Sequence, residues 1–186
     1  MTHIPAVAMI VQGEVAISND PAVVLGTLLG SCISVCMFDP VAGVGGMNHF
    51  LLPEGGESHD AMAMRFGVNS MGMLVSGILK AGGKRSRLVC KAFGGATVVP
   101  SLGRIGQENI HFVMQYLADK EIPCISQSLG GNQARRVRFW PTTGRVQQNL
   151  VHDAQGIGYQ EVAESREKLH TQRKWAMVSG IRPEPF

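Results

Sequence analysis

The stretch 28-LLGSCISVCMFDPVAGVGGMNHFLLP-53 carries the main prediction of the fold. Its segment ISVCMF is apolar and rich in β-branched residues with no polar face, which is typical of a strand buried on both sides. Asp39 and Pro40 then indicate a turn. The segment GGMNHFLL predicts a returning strand that ends at Pro53. We therefore expect an antiparallel hairpin.

The hairpin brings two chemically active side chains together. A four-residue loop, Asp39–Ala42, pairs Phe38 with Gly43, and in this register Cys32 lies directly opposite His49. The Cβ atoms of opposed residues in such a pair are roughly 4.5–5.5 Å apart. The contact depends on the register, because a loop of different length moves His49 away from Cys32.

The rest of the chain predicts further strands and two helices. GEVAISND and AVVLGTLLG precede the hairpin as strands, and RLVCKAF, IPCISQSLGG and the hairpin VRFW-PTTG-RVQ follow it. Apolar residues at helical spacing predict two helices, over Met71, Leu74, Val75 and Ile78, and over Ile110, Val113, Met114 and Leu117. Asn69 or Ser70 is the expected N-cap of the first helix and Gly82 its terminator, and the second helix ends before Pro123. The order of elements predicts an α+β fold with mostly antiparallel sheets.

Composition restricts the class of protein. The 186 residues are 45% hydrophobic with a net charge of +3, which is typical of a soluble globular domain, and the scattered basic residues argue against a nucleic-acid-binding protein. No stretch approaches the ~18–20 apolar residues that span a bilayer, and the N-terminus is a poor export signal. The four spread cysteines do not indicate a disulfide framework, so a cytoplasmic protein is expected. Residues 1–150 are predicted to form the domain and residues 151–186 a polar, partly helical extension.

The pairing of Cys32 with His49 predicts nucleophilic catalysis. A free thiol has a pKa near ~8.5, so a reactive thiolate at neutral pH needs an adjacent base such as an imidazole. The backbone N–H groups of Ser31 and Cys32, after Gly30, are candidates for stabilising an oxyanion. This chemistry suits acyl transfer through a thioester: amide or ester hydrolysis, or transamidation.

Simpler interpretations compete with this one. A buried cysteine is often only a small apolar residue, and a histidine among apolar neighbours is often a hydrogen-bonded core residue. Cys32, Cys36 and His49 are also three possible zinc ligands of a structural zinc protein. That site lacks a second paired half, so we expect no metal.

Several segments in order identify the chain as similar to a known family. TLLGSCISVCMFDP, GGMNHFLLP, KAFGGA, IGQENIHFVMQYL, LGG and FWPTTGRV follow one another as in the CheD family of bacterial chemotaxis proteins, over about residues 13–150. The resemblance implies a layered α/β/β sandwich of the cysteine-hydrolase type, similar to the catalytic domains of cytotoxic necrotizing factors. It also implies hydrolytic deamidation of glutamines to glutamates on methyl-accepting chemoreceptors, without a cofactor.

The resemblance also implies site residues. Cys32 matches the family nucleophile and His49 its catalytic histidine, acting as general acid and base. Thr27 matches a threonine that orients the histidine. In some members this threonine lies one residue further from the cysteine, where this chain has Gly26, and Thr27 is also typical of an ordinary strand residue.

The resemblance implies two kinds of partner: the cytoplasmic helical region of chemoreceptors and a CheC-type phosphatase. A non-catalytic adaptor that binds either partner is the alternative to the enzyme. Arg135, Arg136 and Arg138 are candidates for facing an acidic receptor, but charges on a solvated edge strand are the more common explanation for such a cluster, and we favour that explanation.

Overall fold

The computed structural model describes residues 7–52, 57–100, 104–152 and 175–177, and side chains of all of these except 57–63 and 175–177. These residues form ten β-strands and two α-helices. In chain order the elements are β1 Val7–Met9, β2 Val15–Ser18, β3 Val24–Leu29, β4 Ile33–Asp39, β5 Val44–Asn48, α1 Glu57–Lys80, β6 Val89–Gly94, α2 Ile105–Asp119, β7 Cys124–Leu129, β8 Ala134–Trp140, β9 Arg145–Val151 and β10 Trp175–Met177.

The strands form two mixed sheets. One has the order β1-β3-β8-β9 and the other the order β10-β2-β5-β4-β6-β7. The pairs β1–β3, β10–β2 and β6–β7 are parallel, and the remaining pairs are antiparallel. The predicted α+β class, with mostly antiparallel pairing, is therefore confirmed.

β4 lies between two apolar cores, which explains its uniformly apolar sequence. Ile33, Val35 and Met37 pack in the core that the six-stranded sheet shares with both helices. Cys36 and Phe38 point the other way, into the core between the two sheets. The helices, the six-stranded sheet and the four-stranded sheet thus form three layers. The expectation that β4 is buried on both sides is confirmed, because every residue of this strand is buried.

The predicted register of the central hairpin is wrong by two residues. Phe38 pairs with Gly45 rather than with Gly43, and Ile33 forms a bridge with Phe50. Cys32 and His49 are therefore not directly opposite. A shift of two residues preserves the face of a strand, so the two side chains still share a face, as diagonal neighbours roughly 7–8 Å apart.

The side chain of Asp39 sets this register. Its Oδ1 accepts hydrogen bonds from the N–H groups of Val41 (2.9 Å) and Ala42 (3.0 Å). The N–H of Gly43, a residue with φ +63°, donates to the carbonyl of Asp39. Asp39 thereby stays in β4 as its last residue, and the loop begins only at Pro40.

An ion pair between the buried Asp39 and the partly exposed Arg87 holds Asp39 in place. The Arg87 guanidinium donates from Nη2 to Oδ2 at 2.7 Å and from Nε to both carboxylate oxygens. The N–H of Lys84 donates to Oδ2 as well. These contacts, the Arg87 bonds first, lower the pKa of the Asp39 carboxyl well below its usual range.

We expect Asp39→Ala to lower the thermal unfolding midpoint by roughly 5–10 °C at neutral pH, because three N–H groups and Arg87 lose their acceptor. Since the folded pKa is depressed, the contribution of Asp39 is fully present above about pH 4 and is lost as the pH falls further, through the folded pKa. The difference in midpoint between wild type and Asp39→Asn should therefore shrink below pH 4 in thermal scans. A constant difference down to the most acidic pH would contradict the assignment.

The two helices agree with prediction at their C-termini. α2 ends at Asp119, before Pro123 as expected, and α1 ends at Lys80. Gly82, with φ +104°, donates to the carbonyl of Leu79, and Gly83 donates to that of Ile78. This is the C-terminal motif for which glycine is preferred, so the predicted terminator is confirmed.

The predicted N-cap of α1 is wrong. The helix begins at Glu57, so Asn69 and Ser70 lie in its interior. Ser70 is buried there, and its hydroxyl accepts a hydrogen bond from Nδ2 of Asn48 at 3.2 Å. A cap signal in the sequence thus marks a contact between α1 and the end of β5.

The arginine cluster is divided between two faces of β8. This strand lies between β3 and β9, so the expected edge strand is wrong. Arg136 and Arg138 are exposed. Arg135 is buried, and its guanidinium donates to the carbonyls of Ser128 and Gly130. Arg135 therefore ties the end of β7 to β8, and only the other two are available to a partner.

Little of the predicted C-terminal extension is described. Residues 153–174 and 178–186, including the expected helix, lie outside the described residues. Within the extension, β10 pairs in parallel with β2, with Trp175 beside Val15. The boundary at residue 150 stays a prediction. In the described part of the chain, neither helix has the length and apolar character needed to cross a membrane.

Candidate active site

Three of the predicted site residues converge in the layer between the two sheets. Thr27 comes from β3 of the four-stranded sheet, His49 directly follows β5, and Cys32 directly precedes β4. All three are buried: Thr27 and Cys32 are fully covered and His49 is 5% exposed. The hairpin brings Cys32 and His49 to one face of a sheet, and the second sheet brings Thr27 to the imidazole.

A hydrogen-bond network determines the tautomer of His49. Its Nδ1 lies 2.9 Å from the hydroxyl oxygen of Thr27 and 3.2 Å from the carbonyl oxygen of Ile10. That hydroxyl donates its proton to the same carbonyl at 2.8 Å. A carbonyl accepts only, and the Thr27 proton is already used, so Nδ1 must carry the hydrogen. In the neutral imidazole, Nε2 is then the basic nitrogen.

Thr27, rather than residue 26, is the threonine position beside the histidine. Successive side chains of a strand point to opposite faces, and Thr27 faces the inner layer. Gly26 faces outward, where a Cβ would lie 2.6 Å from Cγ1 of Val7. Any side chain at residue 26 would therefore pack on β1 and not on the imidazole.

The turn between β1 and β2 contacts every member of this group, which the sequence did not predict. Gln12 is 4% exposed, and its Oε1 lies 3.6 Å from Sγ of Cys32, a distance suited to a weak S–H donor. The N–H of Gly13 donates to the carbonyl of His49 at 2.7 Å, and the N–H of His49 donates to the carbonyl of Glu14 at 3.0 Å. No local signal in VQGE marks this turn as part of a site.

Helix α2 and the segment that follows β6 hold the backbone on both sides of Cys32. Nδ2 of Asn109, a buried residue of α2, donates to the carbonyl of Ser31 at 3.2 Å. Because the N–H and C=O of a trans peptide point in opposite directions, this bond also fixes the direction of the Cys32 N–H. The N–H of Gly95 donates to the carbonyl of Cys32 at 2.8 Å. A Cβ at Gly94, with φ +114°, would collide with that carbonyl, so only glycine allows this approach.

The other cysteines have different environments. Burial raises the pKa of the Cys36 thiol far above its usual range. Cys90 and Cys124 are paired across β6 and β7, and a hydrogen bond from Cys90 lowers the pKa of Cys124 to about 7. Cys124 is partly exposed. It therefore has the character of a reactive thiol for a reason unrelated to His49.

The geometry does not favour the zinc alternative. Cys32 and Cys36 are four residues apart along extended chain, which separates their Cα atoms by roughly 13 Å. Two thiolates on one tetrahedral zinc ion must each lie about 2.3 Å from the metal. Across the described residues, no group of three histidine, cysteine or acidic side chains is arranged to hold a metal ion.

Comparison with known proteins shows the family of this chain. The family model for CheD, described as chemotactic sensory transduction, matches residues 51–149. The probable chemoreceptor glutamine deamidase CheD of Cereibacter sphaeroides is 52% identical over 146 residues, which cover 78% of this chain and 73% of the relative. The chain belongs to the CheD family. The proteins with the same name from Agrobacterium fabrum and Caulobacter vibrioides are 48% and 49% identical, over 78% and 76% of this chain and 81% and 76% of their own lengths.

The CheD family model and the candidate site residues cover different parts of the chain. The matched residues 51–149 contain α1, α2 and β6 to β8, but Thr27, Cys32 and His49 precede them. The assignment of these three residues is therefore supported by the geometry of the layer between the sheets and by the motifs TLLGSC and GGMNHF. Asn109 and the loop at Gly94 and Gly95 lie within the matched part and contact the cysteine segment directly.

Proposed function

We propose that this chain hydrolyses the side-chain amide of selected glutamines on methyl-accepting chemoreceptors, producing glutamate and ammonia. The names of its CheD relatives as chemoreceptor glutamine deamidases support the substrate and the reaction. The observation that carries the mechanism is the hydrogen bond of His49 Nδ1 to Thr27 and Ile10, beside a buried cysteine on the same face.

The first half of the reaction forms a thioester. Nε2 of His49 takes the proton from Sγ of Cys32, and the thiolate attacks the carboxamide carbon of the glutamine. The negative charge that develops on the amide oxygen is stabilised by backbone N–H groups, for which those of Ser31 and Cys32 are the candidates. Protonated His49 then gives its proton to the departing nitrogen, and ammonia leaves as the C–N bond breaks.

The second half releases the product. Water takes the place of ammonia, and His49 removes a proton from it as the oxygen attacks the thioester carbon. The C–S bond breaks, protonated His49 returns the proton to the sulfur of Cys32, and the carboxylic acid left on the receptor loses its own proton to solvent and becomes a glutamate carboxylate. The protein residues and water alone supply every proton transfer in this scheme, so we propose that the reaction uses no cofactor.

Selectivity has to come from protein contacts around the glutamine. Because Cys32 is fully buried, a carboxamide reaches Sγ only when residues over the thiol move aside. We propose that a folded receptor helix in the cytoplasm supplies the binding energy for this step and orients the carboxamide. Free glutamine and short unstructured peptides should then be poor substrates.

Two finer proposals concern relationships to other proteins. We propose that the three-layer arrangement is the α/β/β sandwich of cysteine hydrolases similar to cytotoxic necrotizing factors. We also propose that a CheC-type phosphatase docks over the same opening and inhibits competitively.

The test is to incubate the purified chain with the cytoplasmic fragment of a cognate chemoreceptor and to map glutamine-to-glutamate conversion by mass spectrometry. We expect conversion at a few sites only. If no glutamine of any cognate receptor is converted while the chain still binds the fragment, the non-catalytic adaptor replaces the enzyme.

The role of Thr27 gives a separate prediction. Thr27→Val has the same shape but removes the nearer of the two acceptors of the Nδ1 hydrogen and leaves only the Ile10 carbonyl at 3.2 Å. We expect deamidation to fall by roughly 10- to 100-fold, because the imidazole is then held less firmly in its orientation. Thr27→Ser retains the hydroxyl and should stay within a few-fold of wild type. Initial rates on the receptor fragment measure both variants. Equal rates for Thr27→Val and wild type would remove Thr27 from the mechanism.

A further inference from the structure

Gln12 is a buried amide in direct contact with the candidate nucleophile. Its Oε1 and Sγ of Cys32 are 3.6 Å apart, and both residues are buried. This contact joins two segments that are twenty residues apart in the chain. Gln12 lies in the turn between β1 and β2, so it reaches the thiol from outside the β4–β5 hairpin.

The turn that carries Gln12 is internally braced. Gly13 has φ +88°, a conformation for which glycine is preferred. The N–H of Glu14 donates to the carbonyl of Val11 at 3.0 Å, and Oε2 of Glu14 accepts from the N–H of Val11 at 2.9 Å. Because Gly13 and Glu14 also bind the backbone of His49, the turn holds Gln12 in a fixed position relative to the imidazole.

An amide can serve both protonation states of a thiol. With the neutral thiol, Oε1 of Gln12 accepts the S–H, as the structure has it. With the thiolate, a carbonyl oxygen at this position would face a negative sulfur, and a half turn about the last side-chain bond instead presents the Nε2 hydrogens. The amide of glutamine can perform both functions, whereas a carboxylate cannot donate and an apolar side chain can do neither.

We propose that Gln12 is a further catalytic residue, whose amide orients the Cys32 thiol at rest and donates a hydrogen bond to the thiolate during the reaction. The proton itself passes from Sγ to Nε2 of His49, and Gln12 keeps its protonation state throughout. The proposal rests on the proposed function for its role in deamidation, but its effect on the thiol can be measured without a receptor.

Few other titratable or charged groups face the layer that contains Cys32. Among the described residues these are His49 at the end of β5, Cys36 of β4, Lys91 of β6 and Arg135 of β8. Lys91 donates to the carbonyl of Gly144 and Arg135 to that of Gly130, so both cations have fixed partners elsewhere. The carboxylate of Glu14 binds the N–H of Val11 in the turn itself. A change in the titration of Cys32 on substitution of Gln12 is therefore assigned to the contact at Sγ.

The test is the pH dependence of alkylation of Cys32 by iodoacetamide, read for each cysteine by mass spectrometry. Gln12→Glu places a carboxylate against the sulfur, and a neighbouring like charge disfavours the thiolate. We expect the midpoint of alkylation to move up by about one pH unit or more. Deamidation at neutral pH should fall by roughly 10- to 100-fold, and recover in part at higher pH. Gln12→Met, similar in length but without donor or acceptor, should slow both reactions at every pH.

Two controls separate this effect from a loss of structure. Gln147→Glu adds the same charge on an exposed residue of β9 and should leave the midpoint of Cys32 unchanged. Alkylation of Cys124 in the same sample should keep its wild-type midpoint in every variant. If Gln12→Glu disturbs folding, the alkylation midpoint of Cys124 and the thermal unfolding midpoint change as well. The alkylation and deamidation rates of Gln12→Met then test the proposal instead.

The outcomes are distinct. A wild-type midpoint and rate for Cys32 in folded Gln12→Glu and Gln12→Met would overturn the proposal. A shifted midpoint in a chain that converts no receptor glutamine would support the contact at the thiol and contradict the proposed function instead.

Discussion

We expect Cys32→Ala to reduce deamidation of a receptor fragment by about 10⁴-fold or more, because it removes the nucleophile of the catalytic group. The side chain is small and fully buried between the sheets, so alanine leaves the fold intact with only a minor loss of packing. Conversion of receptor glutamines, followed by mass spectrometry in a time course, measures the loss. Thermal unfolding of the same sample shows whether the fold survives.

Cys36→Ala is the matched control. Cys36 lies four residues further along, is fully buried, and packs in the same core between the sheets. Burial raises the pKa of its thiol, so it contributes no thiolate at neutral pH. We expect Cys36→Ala to retain activity within a few-fold. Normal deamidation by Cys32→Ala, or an equal loss in both variants, would show that Cys32 is not the nucleophile.

The second large effect is expected for His49→Ala, which removes the general acid and base. Proton transfer of this kind contributes roughly 10²–10⁴-fold, and we expect a loss of deamidation in this range. The same variant should slow alkylation of Cys32 by iodoacetamide at neutral pH, because the thiol no longer transfers its proton to Nε2. Alkylation of Cys124 should be unchanged, since Cys90 lowers the pKa of that thiol.

His111→Ala is the control for the loss of an imidazole. His111 is exposed on α2 and belongs to none of the contacts around the thiol. In His111→Ala, the rate of deamidation and the rate at which iodoacetamide alkylates Cys32 should equal those of wild type. If Cys32 is alkylated at the same rate with and without His49, the imidazole does not activate the thiol and the proposed pairing fails.

Much of the fold follows from patterns within short segments. β4 can be predicted as a strand buried on both sides because its apolar run has no polar face. α2 can be predicted from four apolar residues at helical spacing. The predictions that were wrong concern residues whose role depends on contacts with distant segments. Asp39 extends β4 past the expected turn because its carboxylate binds the N–H groups of Val41 and Ala42 and is held in place by Arg87, 48 residues away. Ser70 lies in the interior of α1, where Asn48 gives its buried hydroxyl a partner.

The candidate site likewise contains residues that local sequence predicts and residues that only tertiary contacts reveal. Local motifs predict Cys32 and His49 as the site residues, and the pairing of one hairpin places them on one face although the predicted register is wrong. Thr27 was ambiguous in the sequence, and the alternation of side chains along β3 makes it the residue beside the imidazole. Gln12 was missed entirely, because its contact with Cys32 depends on how a turn of one sheet edge packs over the start of β4.

The sequence by itself therefore determined β2 to β9, both helices and the residue types available for thiol chemistry, since these depend on neighbours within about one turn or one strand. It predicted neither β1 nor β10. The tertiary structure alone decided the hairpin register, the tautomer of His49 and the amide that contacts the thiol. These depend on hydrogen bonds between groups 17 to 48 residues apart in the chain, as from Thr27 to Ile10 and from Arg87 to Asp39. Such bonds form only where packing of the two sheets and the helices brings buried polar groups together, because each buried group needs a partner that local sequence does not specify.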